Sequence, residues 1–341
     1  MALLDWFRQS TPKIDEEKVS TQLVEETIDY VVKMTDARLT LINHYRQRLT
    51  GPVTRSLQYL NALRTSLPPT HEVAPLSWSL DPTMRAFYGQ PADLINSFAH
   101  CQPLHNYAAT ASPLDPVYAV LAMDIEEQQR FGVGMQGDMV VRDVAQSALS
   151  FSHHRLRLFA RSETDLRRSI ARRMLDELAL IALDRMQDEQ SQRRELAEHR
   201  NLLAARLSTF AQRGAGAESF LGEAGAMVSD EESSVLLRRL EENETQLAAL
   251  GCPTETLDHQ LDYLAEVLAE PMRFIQMEYR QQYLDSMNMI VDEHSGERIE
   301  FCIASVVRQP PKRRAFLPVR IDRALIGEGR KLHLDNAERW L

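Results

Sequence analysis

The fold is decided by the segment 232–250, ESSVLLRRLEENETQLAAL, in which apolar residues recur at alternating steps of four and three. This step averages about 3.5 residues and puts one narrow apolar seam on a helix that packs lengthwise against another helix. Two further segments repeat the rhythm, so the sequence predicts several long, coiled-coil-like helices. The three seams are Leu236, Leu240, Asn243, Leu247 and Leu250; Leu257, Leu261, Leu264 and Leu268; and Val24, Ile28, Val31, Thr35, Arg38, Ile42, Tyr45 and Leu49.

The two C-terminal seams are joined by Gly251-Cys-Pro-Thr254, which supplies a helix stop, a proline and a new N-cap. This predicts an antiparallel αα-hairpin over residues 232–286, kinked at Pro271, in which the two seams cover each other. The N-terminal seam has no such neighbour, and we expect it to bind a second subunit. The residues of that expected oligomer interface are Val24, Ile28, Val31, Ile42, Tyr45 and Leu49.

The N-terminal seam belongs to a predicted helical rod over residues 14–67, which breaks at Gly51-Pro52. Thr35 and Arg38 interrupt the seam. Polar residues at such positions either fix the register of the pair or mark where the helix leaves its partner, and both readings stay open. Residues 1–13 form an apolar tip that docks on a partner groove or a membrane surface, or folds back onto the core.

The middle of the chain has a different character. Residues 68–160 hold eight of the fifteen prolines, and we expect irregular structure followed by a small sheet. Residues 117–125 alternate as a strand does, a polar turn is expected over 126–130, and strand spacing resumes after it. Ser162 then caps a long bridging helix over 161–212, which the flexible linker 213–231 follows.

The C-terminal part is predicted to be a β-hairpin with a third strand over 287–322, followed by a basic tail over 323–341. We expect the two β regions to pair into one sheet. The fold class is therefore α+β and predominantly helical, with long coiled-coil-like helices, an αα-hairpin and two small antiparallel β regions.

The composition of the chain indicates the kind of genome and the cellular compartment to expect. The 341 residues carry a formal charge of -10, but Arg308–Leu341 has nine Lys or Arg against four Asp or Glu. Only five lysines occur, which indicates a GC-rich bacterial genome, and three scattered cysteines fit a reducing cytosol. No apolar run reaches the roughly 18 residues that a membrane helix needs, so we expect a cytoplasmic protein.

Three patterns resemble sites for ligands or catalysis. Gly132, Gly134 and Gly137 match G-x-G-x-x-G, which indicates either a nucleotide-binding loop or a bend in a strand. His100, Cys101, His105 and the nearby Asp93 are of zinc-binding types, but their spacing fits no zinc pattern. A further group has the residue types of a hydrolytic triad but lacks the nucleophile elbow: Ser147, Ser150, Ser152, His153, His154, Asp138 and Asp143.

A basic loop is the sharpest polar signal of the chain. It either neutralises phosphates of a polyanion or is a solvated loop that pairs with acidic residues of the protein itself. The residues of this possible polyanion site are Arg308, Lys312, Arg313, Arg314 and Arg320.

These observations favour a bacterial cytosolic interaction or scaffold protein that self-associates through its coiled-coil-like helices. A nucleic-acid-associated protein that uses the basic loop is one alternative. A nucleotide-binding protein or enzyme that uses Gly132–Gly137 is the other. No catalytic residue, metal ligand or cofactor is assigned from the sequence.

Overall fold

A computed structural model describes residues 20–111, 115–136, 139–217, 223–250, 253–307 and 312–326. The apolar tip, residues 137–138 and most of the basic tail therefore lie outside the described residues. The helices are α1 (Thr21–Thr35), a 3₁₀ helix (Ala37–Leu41), α2 (Tyr45–Ser66), α3 (Ser77–Leu80), α4 (Pro82–Phe87), α5 (Pro91–Ala99), α6 (Gln102–Thr110), α7 (Glu163–Ala217), α8 (Glu223–Ala249), α9 (Pro253–Ala269) and α10 (Pro271–Phe274). The strands are β1 (His71–Val73), β2 (Val117–Gln136), β3 (Met139–Ala160), β4 (Ile275–Leu284), β5 (Glu297–Val306) and β6 (Lys312–Ile321).

All six strands belong to one sheet, in the order β3-β2-β6-β5-β4, and β1 pairs in parallel with β6. The two β regions meet where β2 pairs with β6, from Val117 opposite Ile321 to Met123 opposite Ala315. The expectation of one shared sheet is therefore met, in a chain of mixed α and β structure in which helix predominates.

The β2–β3 hairpin continues past the rest of the sheet. β2 pairs with β6 only as far as Met123, whereas it pairs with β3 as far as Gln136. Residues 126–130, predicted to be a polar turn, are part of this ribbon, and residues 126–129 are exposed. Alternation of apolar and polar residues needs one buried face. Residues 126–129 of β2 have no buried side chain, so this requirement does not apply to them and their sequence resembled a turn.

The described contacts divide the chain into two compact units. The sheet unit comprises Met1–Thr27, Val53–Leu178 and Glu270–Leu341, and the helical unit comprises Ile28–Pro52 and Ala179–Ala269. Helices α1, α2 and α7 contribute residues to both units.

One face of the sheet is covered by the short helices of the Pro-rich segment. Alternate residues of β2, β5 and β6 form a buried cluster with Phe87, Leu94, Phe98 and Leu104 from α4, α5 and α6. The apolar mass of the Pro-rich segment is thus used to close the core, because a solvated linker would leave these rings in water.

The second face of the sheet is buried as well. Cys302 and Phe316, which face each other on β5 and β6, are 0% and 6% exposed. The Tyr59 hydroxyl of α2 donates a hydrogen bond to the Ile275 carbonyl at 2.7 Å, and Arg167 of α7 lies close enough to Cys302 to interact with it electrostatically. The sheet unit therefore has helices on both faces of its sheet.

The helical unit is closed by apolar side chains and by exposed ion pairs. Leu39 of the 3₁₀ helix and Leu261 and Leu264 of α9 are all fully buried. Arg48 of α2 bridges two carboxylates of α9, with Nη1 2.6 Å from Asp258 Oδ1 and Nη2 on Asp262. Because these groups are largely solvated, they orient α9 more than they stabilise it.

The predicted N-terminal rod is divided at a different place. α1 ends at Thr35, whose hydroxyl donates back to the Val31 carbonyl at 3.0 Å, and Asp36 accepts a hydrogen bond from the Arg38 amide as an N-cap. Side chains that bond the local backbone in this way compete with a continuing helix. His44, with φ of 61°, then redirects the chain into α2.

α2 runs through the predicted break at Gly51-Pro52. A proline inside a helix costs about 3 kcal/mol because it removes one hydrogen bond and crowds the preceding turn. Leu49, Val53 and Leu57, on both sides of Pro52, are each 0% exposed, and their burial offsets this cost.

Two segments after α7 differ from the prediction. Helix extends through 213–217 and from 223 onward, so helical backbone occupies much of the predicted linker 213–231. The helix predicted to reach Ser286 ends at Ala269, and residues 275–284 form β4 instead. β4 pairs with β5 along its whole length, so tertiary pairing outweighs a weak local preference. No helix in the described part of the chain is long and apolar enough to cross a membrane.

Candidate functional site

The residues of the expected oligomer interface are mostly covered within the single chain. Val24 is 5% exposed, Ile28, Val31 and Leu49 are 0% exposed, and only Ile42 and Tyr45 keep part of their surface in solvent. A second subunit would reach the four buried side chains only after displacing what covers them. Self-association through this seam remains a prediction, and it requires the groups that cover these side chains to move away.

The cations of the expected polyanion site are divided between strand and loop. Arg308 lies outside the described residues, Lys312 begins β6, and Arg313 is exposed.

Arg314 and Arg320 are bonded to acidic residues of the same chain. Nε of Arg314 is 3.1 Å from Oδ1 of Asp124, and Arg320 pairs with Glu72. These two pairs match the reading in which the basic residues neutralise the protein's own carboxylates.

The glycine pattern lies in the β2–β3 ribbon. Gly132 is paired with Val144 and Gly134 with Val141, and the register shifts between them, while Gly137 lies outside the described residues. A phosphate loop of this pattern joins a strand to a helix N-terminus. An antiparallel hairpin with a bulge provides no such terminus, and the bulge fits the strand-bending interpretation.

The residues with zinc-binding types have other partners. The Nδ1 atom of His100 is 3.0 Å from the Asn96 carbonyl, and the Nε2 atom of His105 is 2.6 Å from the Ala99 carbonyl. Within the described residues, no group of three or more His, Cys, Asp or Glu side chains is arranged to hold a metal ion.

Ser152, His153 and Asp124 lie together on the sheet, but they do not form a triad. Ser152 Oγ is 3.2 Å and Asp124 Oδ2 is 3.3 Å from the same ring nitrogen, Nδ1 of His153. A catalytic histidine needs one nitrogen for the nucleophile and the other for the carboxylate. Asp138 lies outside the described residues. This cluster is therefore a surface polar network.

A β-bulge at His153 determines which side chains of β3 lie on the face of the sheet that α4, α5 and α6 cover. Ala122 pairs with Arg155 and Asp124 with Ser152, so two residues of β3 oppose Met123. His153 takes up the extra length with φ of 53°, a left-handed conformation that is rare for a residue other than glycine.

The bulge shifts the alternation of the strand by one residue. Phe151 packs against the core cluster on the face of the sheet that α4, α5 and α6 cover, and Leu156 belongs to that cluster. Phe151 and His154 are an odd number of residues apart, and they share this face only because of the bulge. The sequence carries no signal for this arrangement, because nothing marks His153 as the residue with positive φ.

On this face, His154 lines an open concavity of about 520 Å³ in the sheet unit. α5 contributes Asp93, Asn96 and Ser97, whose spacing puts them on one side of the helix. The other contributions come from the residues after α4 and from β3. The principal lining residues are Tyr88, Asp93, Asn96, Ser97, Phe151 and His154.

The backbone that forms one wall of this concavity is held by two side chains. Nε1 of Trp78 donates to the Tyr88 carbonyl at 2.7 Å, and Nδ2 of Asn288 donates to the Ala86 carbonyl at 2.8 Å. The carbonyls on both sides of Phe87 are thus fixed by side chains from outside this segment.

His154 has one ring nitrogen with no partner. Its Nε2 atom is buried and makes no hydrogen bond. Burial lowers the pKa of His154 below its ordinary value of 6.5, and the neighbouring His153 lowers it further, against the opposing effects of the Phe87 backbone and Asp93. The neutral form of the ring is therefore favoured near pH 7.

A second candidate surface lies on α7 and α8 in the helical unit. Nδ2 of Asn243 on α8 is 3.4 Å from Nδ1 of His199 on α7, and the two residues are separated by similar numbers of residues from the end of α7 and the start of α8. α8 therefore runs antiparallel beside α7. Leu203 of α7 and Leu236 of α8 are 2% and 8% exposed.

The pairing of α8 with α9, predicted as an αα-hairpin over 232–286, stays a prediction. The contact between Asn243 and His199 puts α8 beside α7, and α9 contacts the 3₁₀ helix and Arg48.

Comparisons of the chain with family models, with curated proteins and with solved structures give no match. The function therefore has to be argued from the residues themselves.

Proposed function

We propose that the chain is a protein–protein interaction protein that self-associates through the α7–α8 pair, defined as residues 187–209 of α7 and 234–249 of α8. In this proposal the two helices pack as a short antiparallel coiled coil. The seam of α7 then consists of residues at four- and three-residue steps, as that of α8 does. The residues of the α7 seam are Glu189, Arg193, Leu196, Arg200, Leu203 and Leu207.

The observation that supports the proposal is large apolar surface outside this seam. Leu202 is 61% exposed, Val235 48% and Leu237 54%. Single exposed apolar residues are common, but exposed apolar residues that share one flank of a helical pair are what a docking surface provides.

Heptad phase divides these three residues between two flanks. Counted from the seams, Leu202 and Val235 both occupy position c, beside position g, and in an antiparallel pair the g positions of the two helices meet on one side. Leu237 occupies position e, on the opposite flank. The proposed docking surface is the flank of Leu202 and Val235.

Charge favours a second copy of the chain as the occupant. Residues 187–209 carry four acidic and four basic side chains, and residues 234–249 carry three acidic and two basic ones. The pair is thus nearly neutral in a chain of formal charge -10. Two copies can bring these surfaces together with little of the repulsion that the rest of the chain would produce.

Light scattering after size-exclusion chromatography tests this proposal. The wild-type protein is expected to elute at about twice its mass of 39.0 kDa at micromolar concentration. Leu202→Glu with Val235→Glu is expected to give the monomer, because each dimer would bury new charges in an apolar contact. Leu237→Glu is the matched control on the other flank and should leave the mass unchanged.

Two results would contradict the proposal. A wild-type monomer throughout the micromolar range excludes self-association as the main role, and dissociation by Leu237→Glu alone assigns the contact to the wrong flank. Nucleic acid is the less favoured partner, because it would have to displace carboxylates from Arg314 and Arg320.

A further inference from the structure

β4 forms one edge of the sheet, and part of its backbone faces away from β5. The strand order β3-β2-β6-β5-β4 puts β4 last, and β4 pairs with β5 over its whole length. In an antiparallel pair, the N–H and C=O groups of successive residues point alternately toward the paired strand and away from it. Half of the polar backbone groups of β4 therefore point away from the sheet.

Two hydrogen bonds identify the residues of β4 whose backbone points away from β5. The Ile275 carbonyl accepts from the Tyr59 hydroxyl at 2.7 Å, and the Tyr283 carbonyl accepts from the Val291 amide at 3.0 Å. β5 supplies neither donor. Ile275 and Tyr283 are an even number of residues apart, so the odd-numbered residues of β4 face outward.

An open stretch of the edge lies between these two carbonyls. Its outward-facing residues are Met277, Tyr279 and Gln281, and none of the described residues forms a hydrogen bond with their backbone N–H or C=O groups. Both faces of the strand are accessible here, since Glu278 is exposed on one face and Tyr279 and Gln281 on the other. An open edge of this kind binds a further strand through main-chain hydrogen bonds.

The charges of β4 favour a second copy of β4 as that strand. Glu278 and Arg280 lie on one face of the strand, on either side of Tyr279. In an antiparallel pair of copies with a two-fold axis at Tyr279, Glu278 of each copy lies opposite Arg280 of the other. Opposite charges at directly opposed positions stabilise a strand pair. A different protein would have to supply the same order of charges, whereas a second copy supplies it by symmetry.

Both charged side chains have contacts within one chain that are compatible with this pairing. Nε of Arg280 donates to Oε1 of Glu278 at 2.8 Å, and Nη1 of Arg280 is 4.0 Å from Glu127. The Glu278 side chain remains 57% exposed. A carboxylate accepts several hydrogen bonds, so Glu278 can accept from the second copy as well.

From this geometry we infer that β4 pairs with β4 of a second copy, antiparallel and about an axis at Tyr279. Tyr279 then opposes itself and Met277 opposes Gln281, so each outward-facing residue exchanges both of its main-chain hydrogen bonds. The sheet continues from one chain into the other. The contact is independent of self-association through the α7–α8 pair, because β4 belongs to the sheet unit.

The contact is expected to be weak. A single strand edge buries less than the roughly 1,000 Å² of a stable interface, so we expect pairing at about 100 µM protein rather than at low micromolar concentration.

Disulfide cross-linking tests the inference in a full-length chain that carries Cys101→Ser, Cys252→Ser and Cys302→Ala. Cys302 has to be replaced because it lies opposite Tyr279 on β5 and would capture a new thiol there. Residues that exchange both main-chain hydrogen bonds have Cα atoms about 5.5 Å apart, which a disulfide spans. Tyr279→Cys is therefore expected to give a covalent dimer under mild oxidation at about 100 µM protein.

Gln281→Cys in the same chain is the matched control. Gln281 is exposed on the same face as Tyr279, but its counterpart in the second copy would be about 14 Å away, too far for a disulfide. Absence of a covalent dimer from Tyr279→Cys, or equally rapid cross-linking of Gln281→Cys, would overturn the inference. Should Tyr279→Cys fail to fold, a mixture of Met277→Cys and Gln281→Cys tests the same register. These two residues oppose each other, so a mixed dimer is expected, and its absence would overturn the inference.

Charge reversal tests whether Glu278 opposes Arg280. In the chain with Tyr279→Cys, Glu278→Arg and Arg280→Glu each bring like charges together, and each is expected to slow cross-linking about threefold or more. A mixture of the two variants should cross-link as fast as the unreversed chain, because opposite charges then meet at both positions. A rate that neither reversal lowers, or that mixing does not restore, would overturn the inference.

Leu202→Glu with Val235→Glu distinguishes this contact from the α7–α8 contact. Both substitutions lie in the helical unit, so the Tyr279→Cys cross-link should form at an unchanged rate in their presence. Loss of the cross-link would mean that the chains meet only through the α7–α8 pair, and would overturn the inference. A wild-type chain that is monomeric at micromolar concentration would contradict self-association through α7–α8 and leave the cross-link expected.

Discussion

The imidazole of His154 stacks on the ring of Tyr88, with the ring centroids 4.3 Å apart and the planes inclined by 26°. This contact buries the histidine against a side chain that is itself 3% exposed, and burial raises the pKa of Tyr88. Both rings are thus held in their neutral forms. The pair gives the fold a dependence on acid that a solvated histidine would not give.

We predict that protonation of His154 destabilises the sheet unit. Its folded-state pKa lies below 6.5, so around and below that pH the unfolded chain binds more protons than the folded chain. The free energy of unfolding therefore falls as the pH drops through this range. His154→Gln is expected to reduce the fall in melting temperature between about pH 7.5 and about pH 5.5.

The matched control for this prediction is His153→Gln, because His153 is exposed on the other face of the same strand. It should retain most of the wild-type pH dependence. An equal change of melting temperature with pH in His154→Gln and the wild type would show that another group causes the acid sensitivity.

The sequence predicted some of these elements because their signals are local. Ser162 accepts a hydrogen bond from the Asp165 amide at 3.1 Å, and α7 begins beside it, as its N-cap pattern indicated. β2 begins at Val117, where alternation begins. Signals of this kind depend only on neighbouring residues.

The concavity could not be predicted, because it depends on contacts between residues far apart in the sequence. Asp93 on α5 and His154 on β3 meet only after the sheet has formed, and the bulge that turns His154 toward the helices arises from the register with β2. The same applies to β4, whose strand conformation comes from pairing with β5. The conformational preferences of neighbouring residues indicate neither the approach of Asp93 to His154 nor the pairing of β4 with β5.

Arg167 of α7 connects α7 to the end of α2 and to the two residues that follow α2. Its Nη1 atom donates to the carbonyls of Arg64 and Leu67 at 3.2 and 2.9 Å, and its Nη2 atom donates to the Pro68 carbonyl at 2.8 Å. Glu163 holds the same guanidinium at 2.7 Å. Arg167→Met leaves these carbonyls without donors, and we expect a loss of about 2–4 kcal/mol in the free energy of unfolding.

Arg167→Lys should recover only part of that loss, since an ammonium group cannot reproduce the planar fork. Arg173→Met is the control on the same helix, where the guanidinium is half exposed in its ion pair with Glu177, and it should change stability by less than about 0.5 kcal/mol. Urea denaturation followed by circular dichroism measures all three variants. A loss in Arg167→Met no larger than that in Arg173→Met would contradict the structural role.

Cys302 is expected to be unreactive while the sheet unit is folded. Burial raises its pKa to about 12, and the side chain is 0% exposed between β4 and β6. At pH 8 a thiol with this pKa has about three orders of magnitude less thiolate than an ordinary cysteine. A chromogenic disulfide reagent should therefore label Cys302 only when the sheet unit unfolds.

The measurement needs a chain with Cys302 as its only thiol, which Cys101→Ser and Cys252→Ser provide. The slow labelling should become fast in urea, and the urea midpoint for labelling should match that of unfolding. Rapid labelling of the folded variant at pH 8 would mean that the second face of the sheet opens without global unfolding.

The last prediction concerns Asn243, the polar residue in the seam of α8. The side chain is 4% exposed, and its Oδ1 atom is buried without a hydrogen-bond partner. A buried amide that is only partly satisfied costs stability, but a polar residue in a seam also restricts the register in which two helices pair. Asn243→Leu is therefore expected to stabilise the pairing of α8 with α7 by about 1–2 kcal/mol, and also to allow other registers and oligomers.

Hydrogen exchange of the α8 amides measures the gain in stability, and light scattering measures the change in oligomeric state. Thr245→Leu, a change to the same residue at an exposed position on the outer side of α8, should produce neither. Faster exchange in Asn243→Leu would show instead that the contact with His199 contributes more than the desolvation of the amide costs.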